Sequence, residues 1–196
     1  DPEAYRRLAR GQSAPMPDDA PEPVRRVCWR CHGGDGIGRG EGAFPSLAGQ
    51  REEYLYGSLR AYARRERNSG IMTNVAVGLT DDAMRQVPRY YAGLPPRFQQ
   101  AGDTAAFERG QRIASAGVPD RDIPACMECH GPTGAPKNAS YPRLTGQYQP
   151  YLASQLRLLK ARQRGGTANV NLMHAFVDRL RPEDVRDATA YYTALG

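Results

Sequence analysis

The sequence predicts an all-α protein built from two tandem copies of one small domain. Three observations lead to this prediction: the second half repeats the motifs of the first, apolar residues recur at helical spacing, and few stretches alternate as a β-strand does. The chain has 196 residues, which suits two domains of about 100 residues each. We therefore expect two small hydrophobic cores.

The internal repeat covers most of the chain and sets the predicted domain boundaries. We expect a first domain over residues 1–94, a linker over 95–104 and a second domain over 105–196. Two consecutive prolines at the start of the linker end the preceding helix. The matching segments are RGQ at 10–12 and 109–111, FPSLAGQ at 44–50 and YPRLTGQ at 141–147, and YYAGL at 90–94 and YYTAL at 191–195.

Two helices are predicted from the pattern of each half. The middle helix follows the AGQ or TGQ segment, and a last helix follows Thr80 in the first half and Pro182 in the second. Pro88 lies inside the first of these last helices, and we expect it to kink or shorten that helix. The apolar residues that share one face of the middle helices are Leu55, Leu59 and Tyr62, and Leu152, Leu156 and Leu159.

Composition and charge exclude few functions, but they indicate which kinds of partner the protein could have. The formal charge is +6, from 27 basic and 21 acidic residues, and the interspersed signs are typical of an ordinary solvated surface. An excess of arginine favours an acidic partner or an anionic membrane surface, and gives only weak support to nucleic-acid binding. No apolar run approaches the roughly 20 residues that span a bilayer. The chain opens without a signal-like pattern, so we expect any export signal to be absent from this sequence.

Two short motifs carry the chemistry. On a helical turn, residues three and four apart share a face, so a Cys-x-x-Cys-His motif gathers two thiols and an imidazole on one patch. Thioethers to the two vinyl groups of a porphyrin, with the imidazole on its iron, would use all three groups. The sequence therefore predicts two covalently bound c-type haems. The motif residues are Cys28, Cys31 and His32, and Cys126, Cys129 and His130.

Zinc, a redox couple and disulfides are the alternatives for paired cysteines. Structural zinc pairs usually lie within about 20 residues of each other, whereas these two pairs lie almost half the chain apart. A thioredoxin-like couple needs a strand and helix around it, and that pattern is missing. A disulfide would not call for a histidine after each pair. Covalent haem is therefore favoured.

The second axial ligand of each iron is a separate question. Met72 and Met173 stand at equivalent repeat positions, and they are the candidate thioether ligands. A methionine is ordinarily a core filler, but duplication at the same place before the last helix favours ligation. His174 is the rival in the second half. We expect it to be a bystander, because an axial histidine would break the repeat and lower the potential that His/Met coordination raises.

These motifs resemble those of a known family. With P-x-L-x-G-Q before the middle helix, YL-x-x-x-L within it, an axial methionine and a terminal YY-x-x-L, the sequence is similar to class I c-type cytochromes. In its tandem form it resembles the dihaem cytochrome c4 group, over nearly all of residues 25–94 and 107–196. The resemblance implies two domains related by a pseudo-twofold axis, with the haem propionates near their interface. Pro88, the proline-rich segment 14–24 and extra residues before Met173 depart from the pattern.

The resemblance also implies roles for residues around each haem. Pro45 and Pro142 would offer their carbonyls to the second imidazole nitrogen of His32 and His130, which fixes the tautomer and strengthens the ligand. Four tyrosines would pack at the haem edges, whereas the bare sequence would make them core residues whose buried hydroxyl needs a partner. They are Tyr54, Tyr151, Tyr91 and Tyr192.

If histidine and methionine close both irons, the chemistry left is outer-sphere electron transfer. The resemblance implies a protein that is not an enzyme, has no catalytic residues and carries single electrons between protein redox partners, as in bacterial respiratory chains. The donor would be a dehydrogenase or cytochrome complex, and the acceptor a terminal oxidase or reductase. The resemblance implies a periplasmic location; peripheral membrane association stays open, and no nucleic-acid partner is expected.

Other functions compete with this one. The chain could be the cytochrome subunit or domain of a dehydrogenase complex. A dihaem enzyme or a gas-binding protein needs an open iron, which two repeat-matched methionines disfavour. A basic cluster at the end of each middle helix suits the helix dipole or, alternatively, an acidic redox partner. It comprises Arg60, Arg64, Arg65 and Arg67, and Lys160, Arg162 and Arg164.

Overall fold

The computed structural model describes residues 16–39, 42–97 and 103–195. In these ranges the chain forms helices and short helical turns, with three isolated β-bridges and no β-strand. The helices of the first half are α1 (Trp29–His32), α2 (Glu52–Ala63), α3 (Met72–Val77) and α4 (Asp81–Ala92). Those of the second half are α5 (Thr104–Ala116), α6 (Cys126–His130), α7 (Gln149–Lys160), α8 (Val170–Phe176) and α9 (Pro182–Ala194).

The helix order repeats between the halves, which confirms the all-α class and the duplication. Helices α1 to α4 match α6 to α9 in order and in the motifs they carry. Helix α5 holds the RGQ segment 109–111, while the RGQ segment 10–12 lies outside the described residues. Residues 95–97 are irregular, α5 already begins at Thr104, and 98–102 lie outside the described residues.

The last helices begin where the sequence predicts. The hydroxyl of Thr80 accepts a hydrogen bond from the Ala83 N–H at 3.2 Å, so it caps α4, and Pro182 occupies the first turn of α9. The shortening expected at Pro88 is not observed, because α4 runs on to Ala92. Pro88 is fully buried, and its packing offsets the hydrogen bond that a proline cannot donate.

Each domain has its own hydrophobic core. Tyr91 and Val24 are fully buried in the first core, and Ala114 is fully buried in the second. Ala20 and Val24 belong to the proline-rich segment that has no counterpart in the second half. This segment therefore contributes to the packing of the first domain.

The domains meet through reciprocal hydrogen bonds. The side-chain amide of Gln50 pairs with the backbone of Arg143, and the equivalent Gln147 pairs with the backbone of Ser46. A second reciprocal pair joins the Asn68 N–H to the Gln163 carbonyl at 2.9 Å, and the Gly165 N–H to the Glu66 carbonyl at 2.8 Å. Equivalent repeat positions face each other in both pairs, as a pseudo-twofold axis requires. Within the described ranges, no helix is long and apolar enough to span a bilayer.

Candidate haem sites

Each domain contains a cavity with its Cys-x-x-Cys-His motif on the wall. The first cavity encloses about 1480 Å³ free of protein atoms, and the second about 1240 Å³, counting the parts open to solvent. The motif residues that line them are Cys28, Cys31 and His32 in the first, and Cys126, Cys129 and His130 in the second.

The two motif histidines are held in the same way. His32 Nδ1 lies 3.0 Å from the Pro45 carbonyl oxygen, and His130 Nδ1 lies 3.1 Å from that of Pro142. A carbonyl only accepts, so Nδ1 carries the proton and Nε2 keeps its lone pair. Burial lowers the pKa of both imidazoles below the ordinary value, although the carbonyls act in the opposite direction. Both rings are therefore neutral at physiological pH.

The cysteines are placed as anchors rather than as reactive thiols. Burial raises the pKa of Cys28 to about 11 and that of Cys126 to about 11. A thioredoxin-like couple has a lowered thiol pKa, so this environment disfavours redox chemistry at sulfur. The two pairs line different cavities, and the described residues contain no group of three or more Cys, His, Asp or Glu that could hold a metal ion. A zinc site across the two pairs is thereby disfavoured.

Both candidate methionines line the cavities. Met72 opens α3, where its N–H donates to the Ser69 hydroxyl at 3.1 Å, and it lines the first cavity. Met173 lies within α8 and lines the second cavity. His174 is not among the residues lining that cavity, and its Nε2 lies 3.1 Å from the Arg164 carbonyl oxygen. Because His174 is bound to the Arg164 carbonyl, Met173 is the side chain of this pair that lines the cavity.

The four tyrosines divide into two sets. Tyr91 and Tyr192 line the cavities of their own domains, and the Tyr91 hydroxyl donates to the Gly33 carbonyl at 3.1 Å. Tyr54 of the first domain lines the second cavity, and Tyr151 of the second domain lines the first. Each cavity therefore reaches the interface between the domains.

Two arginines that were expected in the basic clusters at the helix ends are instead buried at this interface. Arg67 and Arg164 are only 3% and 8% exposed. Arg67 Nη2 donates across the interface to Tyr151 at 2.9 Å and to Gln155 at 3.0 Å, while Arg164 Nη2 donates to Tyr54 at 2.5 Å. Burial alone would raise the pKa of Tyr54, but Arg164 and Arg67 lower it to about 8. The available signal was an arginine at the same repeat position in both halves.

The residues present fit a c-type haem. Each cavity offers two thiols, a neutral imidazole oriented by a carbonyl, a thioether sulfur and an otherwise mostly apolar lining. An apolar wall with a few placed donors is what binds a porphyrin and sets its potential. In the first cavity this wall includes Leu55, Leu59 and Val87.

Comparisons with known proteins point the same way. The model of the cytochrome c family matches residues 23–107 and again residues 107–195. The thiosulfate dehydrogenase electron acceptor of Thiomonas intermedia is 34% identical over 170 residues, which are 86% of this chain and 78% of that protein. Reduced recombinant cytochrome c4 from Pseudomonas stutzeri matches with a TM-score of 0.82 and 27% identity, over 91% of this chain and 99% of that one. Thiosulfate dehydrogenase TsdBA from Marichromatium purpuratum matches with a TM-score of 0.77 and 31% identity, over 97% of this chain and 39% of that one.

Proposed function

Because the chain belongs to the cytochrome c family, as a dihaem electron carrier with two domains in tandem, we propose that His32 with Met72, and His130 with Met173, are its axial iron ligands. Each domain carries one covalently bound c-type haem, attached through Cys28 and Cys31 or through Cys126 and Cys129. A bound c-type haem supplies a one-electron couple between ferric and ferrous iron.

One observation carries the ligand assignment. Each cavity is lined by a histidine whose Nδ1 is committed to a proline carbonyl and by one methionine at the equivalent repeat position. The committed Nδ1 leaves Nε2 as the nitrogen that can bind iron. A thioether ligand opposite histidine raises the reduction potential, which suits a carrier. With two protein ligands on each iron, substrate has no vacant position, and the protein is an electron-transfer protein rather than an enzyme.

The residues of the chain also restrict how electrons enter and leave. The motif histidines are buried, whereas Cys129 is exposed and Cys31 is half-buried. Electrons would therefore enter and leave near the thioether side of each cavity, where one cysteine of the motif is at least partly exposed. The crossed placement of Tyr54 and Tyr151 brings both cavities to one interface, and this interface is the proposed route between the two sites.

The chain exchanges electrons with protein redox partners, and we infer their class from the comparisons. The Thiomonas relative is named as an electron acceptor of thiosulfate dehydrogenase, so a dehydrogenase of this kind is the proposed donor, with a terminal oxidase or reductase as acceptor. Thioether attachment of haem occurs in exported proteins, and the proposed location is the periplasm. A donor test measures reduction of this protein by thiosulfate dehydrogenase with thiosulfate present; a rate no higher than without the enzyme would contradict that donor.

A second candidate function is that of a domain within a larger dehydrogenase. The likeness to TsdBA supports it, because this chain matches 39% of that longer protein. In this case the chain would receive electrons from a catalytic domain on the same polypeptide. Electrophoresis of the native protein with haem staining distinguishes the two: a band near 21.6 kDa supports the free carrier, and a much larger haem-bearing band supports the fused form.

The ligand assignment is tested with carbon monoxide, which binds a reduced haem only where a ligand position is free. Haem is counted against protein in the same sample. We expect two haems per chain and a reduced spectrum that carbon monoxide leaves unchanged. Uptake of the gas by the unmodified protein would contradict closure of both irons by histidine and methionine.

Matched variants then assign each ligand. Met72→Ala and Met173→Ala should each open one haem to carbon monoxide. His174→Ala should behave like the unmodified protein, because His174 binds the Arg164 carbonyl and does not line the cavity. If His174→Ala opened the second haem and Met173→Ala did not, His174 would be the ligand.

A further inference from the structure

The peptide group between Pro45 and Ser46 has hydrogen bonds on both of its sides. Its carbonyl oxygen accepts from His32 Nδ1 at 3.0 Å. Its N–H, which belongs to Ser46, donates to the side-chain oxygen Oε1 of Gln147 in the second domain at 3.0 Å. One planar peptide group therefore lies between a proposed iron ligand and a residue of the other domain.

The second domain contains the same arrangement. The carbonyl of Pro142 accepts from His130 Nδ1 at 3.1 Å, and the Arg143 N–H of that peptide group donates to Gln50 Oε1 of the first domain at 2.7 Å. Two symmetry-related chains of hydrogen bonds thus cross the interface in opposite directions.

Both glutamine side chains are fixed in orientation by their remaining hydrogen bonds. Gln147 Nε2 donates to the Ser46 carbonyl at 2.8 Å, and Gln50 Nε2 donates to the Arg143 carbonyl at 2.9 Å. Each Oε1 also accepts from the backbone N–H of the next residue. Gln50 and Gln147 are buried, at 8% and 6% exposure respectively, so water does not substitute freely for these partners.

A peptide group transmits the effect of one hydrogen bond to the other. Its C–N bond has partial double-bond character, so an acceptor on the N–H side draws electron density toward the carbonyl oxygen. Hydrogen bonds in such chains strengthen one another, by about 10–30% per bond in condensed phases. A more negative carbonyl accepts more strongly from Nδ1–H, and this raises the basicity of Nε2 on the same imidazole.

We propose that Gln147 and Gln50 are positioning residues that tune the iron ligand of the opposite domain, Gln147 acting on His32 and Gln50 on His130. This inference rests on the proposed ligation by the two histidines. A more basic imidazole favours ferric over ferrous iron, so each glutamine lowers the reduction potential of the haem in the other domain. Docking of the domains thereby sets both potentials.

A purely structural role for the glutamines predicts something different. If they served only to hold the domains together, removing either one would loosen a shared interface and affect both sites alike. The proposed role predicts a crossed pattern, in which each substitution acts on the distant histidine and spares the histidine of its own domain.

The test uses the haem-bearing protein with Gln147→Met or Gln50→Met, since methionine keeps the volume and removes both polar groups. The chain has only three histidines, so selective nitrogen-15 labelling gives a simple NMR spectrum in which the Nδ1–H of His32 and His130 is followed. Each haem's midpoint potential comes from a redox titration that monitors its own histidine signal.

We expect Gln147→Met to weaken the hydrogen bond of His32, to move its Nδ1–H signal to lower chemical shift and to raise the potential of the first haem. Gln50→Met should do the same to His130 and the second haem. The rise should be up to about tenfold in the equilibrium constant for reduction, or about 59 mV for a one-electron couple. In a variant whose domains stay docked, equal effects on both domains, effects on the own domain, or unchanged signals and potentials would overturn the proposal.

Arg97→Met is the matched control. Arg97 lies 4.0 Å over the Tyr148 ring and donates to the Gly146 carbonyl at 3.4 Å, in the second domain, without contacting either proline peptide. It should leave both histidine signals and both potentials unchanged, and a crossed shift from this variant would overturn the proposal.

Separation of the domains is read from uniformly nitrogen-15-labelled samples of the same variants. The amide signals of Asn68 and Gly165 report their hydrogen bonds across the interface. In a variant that separates the domains, both histidines lose their glutamine and both potentials should rise; unchanged potentials would overturn the proposal. If neither histidine signal changed between the oxidised and reduced unmodified protein, the proposed binding of the histidines to iron would be contradicted. Loss of the crossed pattern alone would contradict only the proposed role of the glutamines.

Discussion

Tyr91 and Tyr192 occupy the same repeat position and differ in one hydrogen bond. Both are almost fully buried and lie edge-on to a neighbouring tyrosine ring. The Tyr91 hydroxyl donates to the Gly33 carbonyl at 3.1 Å, whereas the buried Tyr192 hydroxyl has no partner among the described residues. Burial raises the pKa of both phenols, so both stay protonated at neutral pH. Comparing the two tyrosines therefore gives the contribution of one buried hydrogen bond to the free energy of unfolding.

We expect Tyr91→Phe to lower the free energy of unfolding by about 1 kcal/mol, the usual net value of such a bond. In this variant the Gly33 carbonyl still accepts from the Gly36 N–H at 3.3 Å. It is therefore not left unpaired, and the loss of stability stays at about 1 kcal/mol. Tyr192→Phe should change stability by about zero or increase it, because it removes an unpaired buried hydroxyl. Denaturant unfolding followed by haem absorbance measures both variants. A larger loss from Tyr192→Phe than from Tyr91→Phe would contradict the assignment.

At the scale of elements, α5 and α9 cross at a glycine. A Cβ built on Gly110 would collide with the backbone carbonyl of Asp187 and with the Cβ of Tyr191. The missing side chain lets the two helices approach closely, and it explains a helix-disfavouring residue in the middle of α5. Gly57 in α2 is the contrast, because a Cβ there would meet no atom within 4 Å.

We expect Gly110→Ala to destabilise the second domain by about 1–3 kcal/mol through overpacking, although alanine is the better helix former by about 1 kcal/mol. Gly57→Ala should stabilise the protein by about 0.5–1 kcal/mol, since only the gain in helix propensity remains. Thermal unfolding of the two variants, followed by circular dichroism, compares them directly. Stabilisation by Gly110→Ala would show that α5 and α9 do not pack as described.

The sequence pattern predicted the individual helices better than it predicted how they pack. The middle and last helices of each half, the cap at Thr80 and the place of both Cys-x-x-Cys-His motifs follow from local rules of spacing and capping. The continuation of α4 past Pro88 does not follow from these local rules, because burial of Pro88 in tertiary contacts outweighs a missing hydrogen bond. The iron ligands Met72 and Met173 stay a prediction, to which the structure adds that both line a cavity.

At the scale of the whole molecule, two arginines at equivalent repeat positions lie in a place that the sequence alone did not predict. We expected Arg67 and Arg164 in an exposed basic cluster, yet both are buried between the domains. The chain reverses after each middle helix through a residue in the left-handed region, Arg65 at φ 60° and Arg162 at φ 58°. This turn directs the next segment to the interface, where residues 67 and 164 pair as an antiparallel bridge. Such a contact depends on the second domain, so no local pattern predicts it.

The geometry of the arginine fork decides how firmly the domains dock. Arg67 uses Nη1 toward Ser58 at 2.9 Å in its own domain and Nη2 toward Tyr151 and Gln155 in the other. Lysine keeps the positive charge but lacks the planar fork, so Arg67→Lys cannot hold both sides of the interface at once. Hydrogen bonds from a charged donor contribute about 1.5–3 kcal/mol each, and at least one of the cross-domain bonds is lost in this variant.

We therefore expect Arg67→Lys to speed hydrogen exchange of the Asn68 and Gly165 amides, whose hydrogen bonds cross the interface, by about tenfold or more. Loss of 1.5 kcal/mol corresponds to about tenfold in the opening equilibrium that exchange reports. Arg64→Lys is the control, since Arg64 is exposed at the end of α2, and it should leave both rates unchanged. Equal exchange rates in Arg67→Lys and Arg64→Lys would mean that the interface is held by the backbone pairs and the glutamines, with the buried arginines contributing no measurable share.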